Sequence, residues 1–247
     1  MPGRSEVRVL ILGGTAEATI LAKVFHVEHS PERLVLSLAG RTVAPDLPGS
    51  IEARIGGFGG AAGLADWLAA ERITHLVDAT HPFAVGISRN AAEAAQVTRV
   101  KRVALHRPGW DEAPGDRWQR VLCLKAAVDA LPEGARPFLA LGHQHIAPFR
   151  HRPDLRPVLR MVDAPAALPF PADLVLGKPG DVAAETALFV ANGITHLVCR
   201  NAGGATSYAK IVAARDLEIP VVLIDRPPPP PPPLLSSVEA TLAWLAG

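Results

Sequence analysis

Cysteine is scarce in this 247-residue sequence: there are two, Cys123 and Cys199, and neither stands in a Cys-x-x-Cys pair. A disulfide framework is therefore not expected, and both thiols read as small apolar side chains destined for a core. No apolar run reaches the ~18–20 residues that a membrane span needs. The opening MPGRSEVRVLILGG enters a strand-like stretch directly, without the apolar segment of a signal peptide, so a cytoplasmic protein is expected. Neither sign of charge is in excess. The formal net charge of +1 removes any general field for nucleic acid or membrane, so an anionic ligand must be met by local cations. No heptad and no long amphipathic helix is present, and a monomer is expected. His143 and His145 in GHQH lack an acid or cysteine at ligand spacing, so no metal site is expected.

What the sequence has is alternation. Short Val/Leu/Ile runs at 7–12, 34–38, 51–55, 75–79, 102–106, 120–124, 138–141, 157–161, 174–176, 196–199 and 221–224 read as strands. Ala-rich stretches at 16–25, 61–71, 84–96, 182–191, 208–217 and 236–246 read as helices. Continuous apolar runs suit strands covered on both faces, and alternation with helices implies βαβ units.

The chain also rhymes with itself. ITHLV occurs at 73–77 and again at 194–198, and at the same offset GGFGGAAGLADWL (56–68) lies over GKPGDVAAETALF (177–189). LILG (10–13) matches LALG (139–142), and HRP (106–108) matches DRP (225–227). The matches keep one order. The fold expected is α/β, with two Rossmann-like, doubly wound parallel-sheet lobes of about five strands each, related by internal duplication. The lobes are placed at 1–112 and 113–247, the second ending in a run of seven prolines and a terminal helix. That run is expected to be a stiff polyproline II spacer rather than a joint between domains.

Ligands of open α/β sheets bind at the carboxyl ends of the strands. Gly13, Gly14, Thr15 and Glu17 follow the first strand, where glycines admit a ligand to a helix N-terminus; Thr15 serves equally as a plain helix cap. Gly40 and Arg41 follow the second, where an arginine suits a 2′-phosphate. IGGFGG follows the third. Asp78, Thr80 and His81 converge at the tip of the fourth, with Thr80 or His81 as a cap for the next helix. In the second half, RNAGGAT (200–206) opens a helix carrying Lys210. Arg41, Arg107, Lys178, Arg200 and Arg226 all lie at or just past the carboxyl end of an expected strand, a concentration that suits a ligand with several carboxylates or phosphates, unless acids such as Asp78 and Asp225 pair with them.

ILGGTAEA, AGR, RIGGFGG, DATHPFA, HRPGW, RNAGGATSYAK and the closing DRP together resemble the precorrin-6A reductase family, from residue 11 to residue 227. The chain departs from the family's pattern at GKPGD, where an arginine-bearing loop is expected and Lys178 takes its charge. The resemblance implies NADPH-dependent reduction of a ring double bond in precorrin-6A, giving precorrin-6B, in cobalamin synthesis. The metal-free and cobalt-containing substrates are not separated by these motifs. It further implies a tetrapyrrole substrate fringed with carboxylates, with Gly13, Gly14, Thr15, Glu17, Gly40, Arg41, Gly203 and Gly204 at the cofactor. Thr80, Phe83, Arg107, Lys178, Arg200 and Thr206 would meet the substrate, and Asp78, His81 and Lys210 are candidates for proton delivery, none indispensable. Two other readings stand beside it: a cofactor-free tetrapyrrole cyclase of the uroporphyrinogen-III synthase type, and a cytosolic carrier of a polyanion.

Overall fold

Strands that are apolar along their whole length need cover on both faces. The computed structural model, which describes residues 7–30, 33–39, 51–162, 164–165 and 167–247, supplies it. The first sheet is built from β1 (Val9–Leu12), β2 (Leu34–Leu38), β3 (Glu52–Ile55), β4 (His75–Asp78) and β5 (Lys101–Leu105). Helix α1 (Ala16–Glu28) packs Leu21, Ala22 and Phe25 on one face of it, against Val9, Ile11 and Leu36. Helices α2 (Gly60–Ala70) and α3 (Val85–Thr98) cover the other face, where Leu64, Leu68, Ala91 and Ala94 meet Leu10, Leu12 and Val35.

The second sheet is built from β6 (Trp118–Val121), β7 (Pro137–Ala140), β8 (Val158–Met161), β9 (Asp173–Leu176), β10 (His196–Arg200) and β11 (Val221–Ile224). Its helices are α4 (Leu124–Asp129), α5 (Val182–Ala191) and α6 (Ala209–Asp216). Phe189 of α5 and Ile211 of α6 pack with Phe138, Val158 and Leu197. After β7 there is no counterpart of α1. Two 3-10 turns, His143–His145 and Ala147–His151, stand there and bury Ile146 and Phe149.

All strand pairs among the described residues are parallel. With β12 (Leu234–Leu235), the orders are β12-β5-β4-β1-β2-β3 and β6-β11-β10-β7-β8-β9, which is one plan used twice. Among the described residues each sheet has six strands; β12 is the one the sequence did not indicate, and it explains a misplaced boundary. The chain divides into one unit of Met1–Pro108 with Pro227–Gly247 and another of Gly109–Arg226. Strand β6, next in sequence after β5, pairs with β11; β12 (Leu234–Leu235), next after β11, returns to pair with β5. Helix α7 (Val238–Ala246) follows β12 and packs Leu245 into the core of the first sheet. Residues 227–247 thus belong with the first lobe, and the proline run begins where the division falls instead of lying inside one lobe. Arg102 and Ala104 on β5 hold this run by donating to the carbonyls of Pro231 and Pro233.

The repeated ITHLV has a structural meaning. Thr74 Oγ1 accepts the Arg8 N–H at 2.9 Å and lies 2.9 Å from His75 Nδ1. Thr195 Oγ1 accepts the Arg136 N–H at 2.9 Å and lies 2.9 Å from His196 Nδ1. Arg8 reaches Glu52 at the start of β3, and Arg136 reaches Asp173 at the start of β9. Arg8 and Arg136 therefore hold the same place, which moves the LILG/LALG match by one residue: Leu10 corresponds to Phe138, and Gly14 to Gly142.

Candidate functional site

The carboxyl ends of β1 and β4 are neighbours, with Leu12 beside Asp78, and β1 to β2 runs one way while β4 to β5 runs the other. This reversal is where open α/β sheets hold ligands. Gly13 serves packing here: an added Cβ would lie 2.8 Å from Leu36 Cδ1, and its N–H donates to Ser37 O. Gly14 serves conformation and access. Its φ of +112° is in the region that favours glycine, and nothing lies within 4 Å of where a Cβ would be. Thr15 caps α1 by accepting the Ala18 N–H, and its hydroxyl donates to Ala79 O, which ties the β1 loop to the β4 loop. Ahead of α2, Gly56, Gly57, Gly59 and Gly60 also face open space, three of them at positive φ, while Gly63 is pressed onto the Phe58 carbonyl. Arg54 shapes this loop. Its guanidinium donates to Gly56 O and Gly57 O and stacks 3.8 Å from the Phe58 ring centroid. Sequence reading missed Arg54; the signal was an arginine immediately preceding a glycine-rich loop with one aromatic.

Asp78 ends β4 and is 3% exposed. Its Oδ1 accepts the Thr80 N–H and hydroxyl at 3.2 and 2.7 Å, and its Oδ2 is buried without a partner among the described residues. Thr80 Oγ1 also lies 3.3 Å from Ser88 Oγ. The expected capping by Thr80 or His81 is absent, because α3 starts only at Val85 with Ala84 at its cap position. His81 instead closes a turn, its carbonyl accepting the Ala84 N–H and its Nδ1 the Phe83 N–H.

Of the five strand-end cations, the structure gives two of them structural duties. Arg107 donates to Glu17 at 2.5 Å, so these two expected ligand contacts neutralise each other near the α1 N-terminus. Arg226 donates to the carbonyls of Asn201 and Ala202 and holds the loop after β10. Arg200 is the last residue of β10 and half-buried. Lys178 is exposed, with no partner among the described residues. Gly40 and Arg41 lie outside the described residues.

In the second unit, Gly203 and Gly204 take φ of +65° and +73°, and Gly204 O accepts the Trp110 indole N–H. Asn201, 4% exposed, both accepts the Trp110 N–H and donates to the Trp110 carbonyl. Thr206 is exposed in this loop. Lys210 is not a rim group: it is 7% exposed, donates to Ser207 O at 2.6 Å and sits 4.9 Å from the Trp110 ring centroid. Burial holds its ammonium below the usual lysine range, and burial pushes the neighbouring Cys199 thiol up to about 11. Cys123, expected to be buried, is exposed at the start of α4.

The family model described as precorrin-6x reductase CbiJ/CobK matches residues 8–246. The chain is 46% identical over 243 residues to the precorrin-6A reductase of Rhodobacter capsulatus, covering 97% of this chain and 96% of that one. It is 43% identical over 246 residues to the precorrin-6A reductase of Mycobacterium tuberculosis, covering 97% and 98%. The cobalt-precorrin-6A reductase of Salmonella typhimurium is 24% identical over 238 residues, covering 90% and 89%. A solved structure titled CobK precorrin-6A reductase superimposes with a TM-score of 0.91 at 46% identity, covering 97% of this chain and 96% of that one.

Proposed function

The chain belongs to the precorrin-6x reductase family and reduces precorrin-6A in cobalamin biosynthesis with a nicotinamide cofactor; from that premise we propose that the cofactor is NADPH, held at the glycine rim of the first unit, and that the product is precorrin-6B. One observation carries this assignment: at the carboxyl ends of the first sheet, Gly14 after β1 and Gly56, Gly57, Gly59 and Gly60 after β3 have nothing within 4 Å of an added Cβ, and Asp78 Oδ2 at the end of β4 is buried without a partner among the described residues. The groups fit a dinucleotide. Backbone without Cβ atoms admits a pyrophosphate to the α1 N-terminus, and a buried acceptor suits a ribose hydroxyl or carboxamide donor. Arg41 is assigned to the 2′-phosphate. When bound, NADPH supplies the hydride that one ring carbon of the substrate receives, and the adjacent carbon takes a proton.

The residues bind, orient and exclude water. Arg54 keeps the 56–60 loop in shape, and Thr15 and Thr80 fix the two loops at the reversal point. Lys178, Arg200 and Thr206 are assigned to the substrate, the two cations to its carboxylates. Proton delivery rests on no single side chain: Lys210 is engaged with Ser207 O, Asp78 Oδ1 with Thr80 and His81 Nδ1 with the Phe83 N–H, and water shares the task.

Purified protein mixed with precorrin-6A and NADPH tests the assignment. Loss of reduced-nicotinamide absorbance, much slower with NADH, is expected. Turnover of the tetrapyrrole without NADPH would favour the cyclase reading. Binding without turnover would favour the carrier.

A further inference from the structure

Near the carboxyl rim of the second sheet lies a buried ion pair for which the first sheet provides a control. Glu185, in the first turn of α5, is 1% exposed and pairs with Arg160 of β8 at 2.8 Å. Arg160 is itself 10% exposed and lies 5.0 Å from the Phe138 ring centroid. The first unit has uncharged residues at the two matching places. Ile73 N–H donates to Leu68 O and Ile194 N–H to Phe189 O, so Leu68 corresponds to Phe189, and Leu64, one turn earlier, corresponds to Glu185. Leu38 pairs with Ile55 as Met161 pairs with Leu176, which places Ser37 where Arg160 stands. One architecture therefore folds with Ser37 and Leu64 at these two places. Two charges taken out of water gain little stability over apolar groups, so the pair calls for another explanation.

Its hydrogen bonds point to one. Glu185 Oε1 also accepts the Gly180 N–H at 2.8 Å. The loop 177–181 is fixed elsewhere as well: Gly177 N–H donates to Met161 O, and Asp181 caps α5 through the Ala184 N–H. Gly180 sits so close to the helix that an added Cβ would lie 2.7 Å from Ala184 Cβ. Between these anchors stands Lys178, exposed and without a partner among the described residues. We propose that Glu185, itself held by Arg160, is a positioning residue for substrate recognition: it fixes the 177–181 loop so that Lys178 presents its charge to a carboxylate of the tetrapyrrole. This rests on the assignment of Lys178 to the substrate made above.

The test transfers the first unit's residues into the second, as Arg160→Ser with Glu185→Leu, and combines them with Lys178→Ala. The double variant is expected to fold with a Tm near the parent's and to bind NADPH unchanged, while KM for precorrin-6A rises about tenfold, the scale of one charge-assisted contact. Lys178→Ala alone raises KM similarly, and the triple variant is no worse than Lys178→Ala. Glu185→Gln, which keeps an acceptor for Gly180, stays within about threefold of the parent. An unchanged KM in the double variant, or its full effect added on top of Lys178→Ala, overturns the positioning role. So does a double variant that fails to fold. An unchanged KM in Lys178→Ala instead overturns the underlying assignment of that lysine.

Discussion

At the amino-terminal edge of their sheets the two units use the same residues for the same bonds; at the carboxyl edge they share almost nothing. Thr74 and Thr195 each tie a preceding arginine's N–H to a histidine ring, at equal distances. At the other edge, Gly14 opens onto a capped thirteen-residue helix, while Gly142 leads into a three-residue 3-10 turn. Asp78 corresponds to Cys199 in the repeat, Leu64 to Glu185, and Ser37 to Arg160. The lower edge carries contacts that any copy of this fold needs. The upper edge is where the residues proposed for coenzyme and substrate lie, and there the two units differ.

Four experiments bear on that contrast. The largest effect is expected from Gly14→Val. A β-branched side chain at φ +112° is strained and fills the open space there, so NADPH affinity falls by about 100-fold. The matching change, Gly142→Ala, sits at φ −67° with its nearest neighbour 3.7 Å away. It is expected to leave the NADPH dissociation constant within about twofold, the size of a minor contact. Equal losses in a fluorescence titration of the pair would erase the distinction between the rims. Next, Arg41→Ala should reduce the preference for NADPH over NADH about tenfold, in kcat/KM with each coenzyme. An unchanged preference removes Arg41 from the 2′-phosphate.

Smaller is Lys210→Met, which keeps the buried stem and loses the bond to Ser207 O. It should lower stability and leave kcat within about fivefold, since Trp110 and Asn201 still hold the loop. A loss of about a thousandfold with normal affinities would make Lys210 the acid after all.

The smallest effect lies at the shared edge. Burial lowers the pKa of both His75 and His196 from 6.5, with the charge of Lys101 adding to the effect at His75. The unfolded chain therefore binds protons first as pH falls. The contribution of these rings is complete above 6.5 and is lost as pH drops through their lowered values. Tm should fall in that window, and the double variant His75→Asn/His196→Asn should flatten the fall. A pH profile unaffected by the double variant contradicts the shared role.

Most of the fold was legible because local apolar runs decide parallel strands: all eleven expected strands are present, within a few residues at each end. Strand β12 escaped because it has only two residues, following prolines, and its existence depends on β5 more than a hundred positions earlier. The course of the chain between the units was hidden for the same reason, since strand exchange leaves no local mark. The placement of the proposed site residues was legible where one loop carries them, as in Gly14, Asp78 and Thr80. It was misread where partners are distant. Arg107 looked available until Glu17, ninety residues before it, took its charge. Lys210 looked like a rim group, but Trp110, from the other end of its unit, covers it. Glu185 and Arg160 gave no signal, since a carboxylate in an Ala-rich helix ordinarily faces water.

Amide hydrogen exchange on the full chain, with and without NADPH, tests most directly the claim that the first unit's carboxyl rim is the coenzyme site. Protection gained at 13–18 and 56–61, with 142–151 and 177–181 unchanged, is the predicted result. Protection gained at 142–151 and 177–181, with the glycine loops of the first unit unaffected, would contradict it.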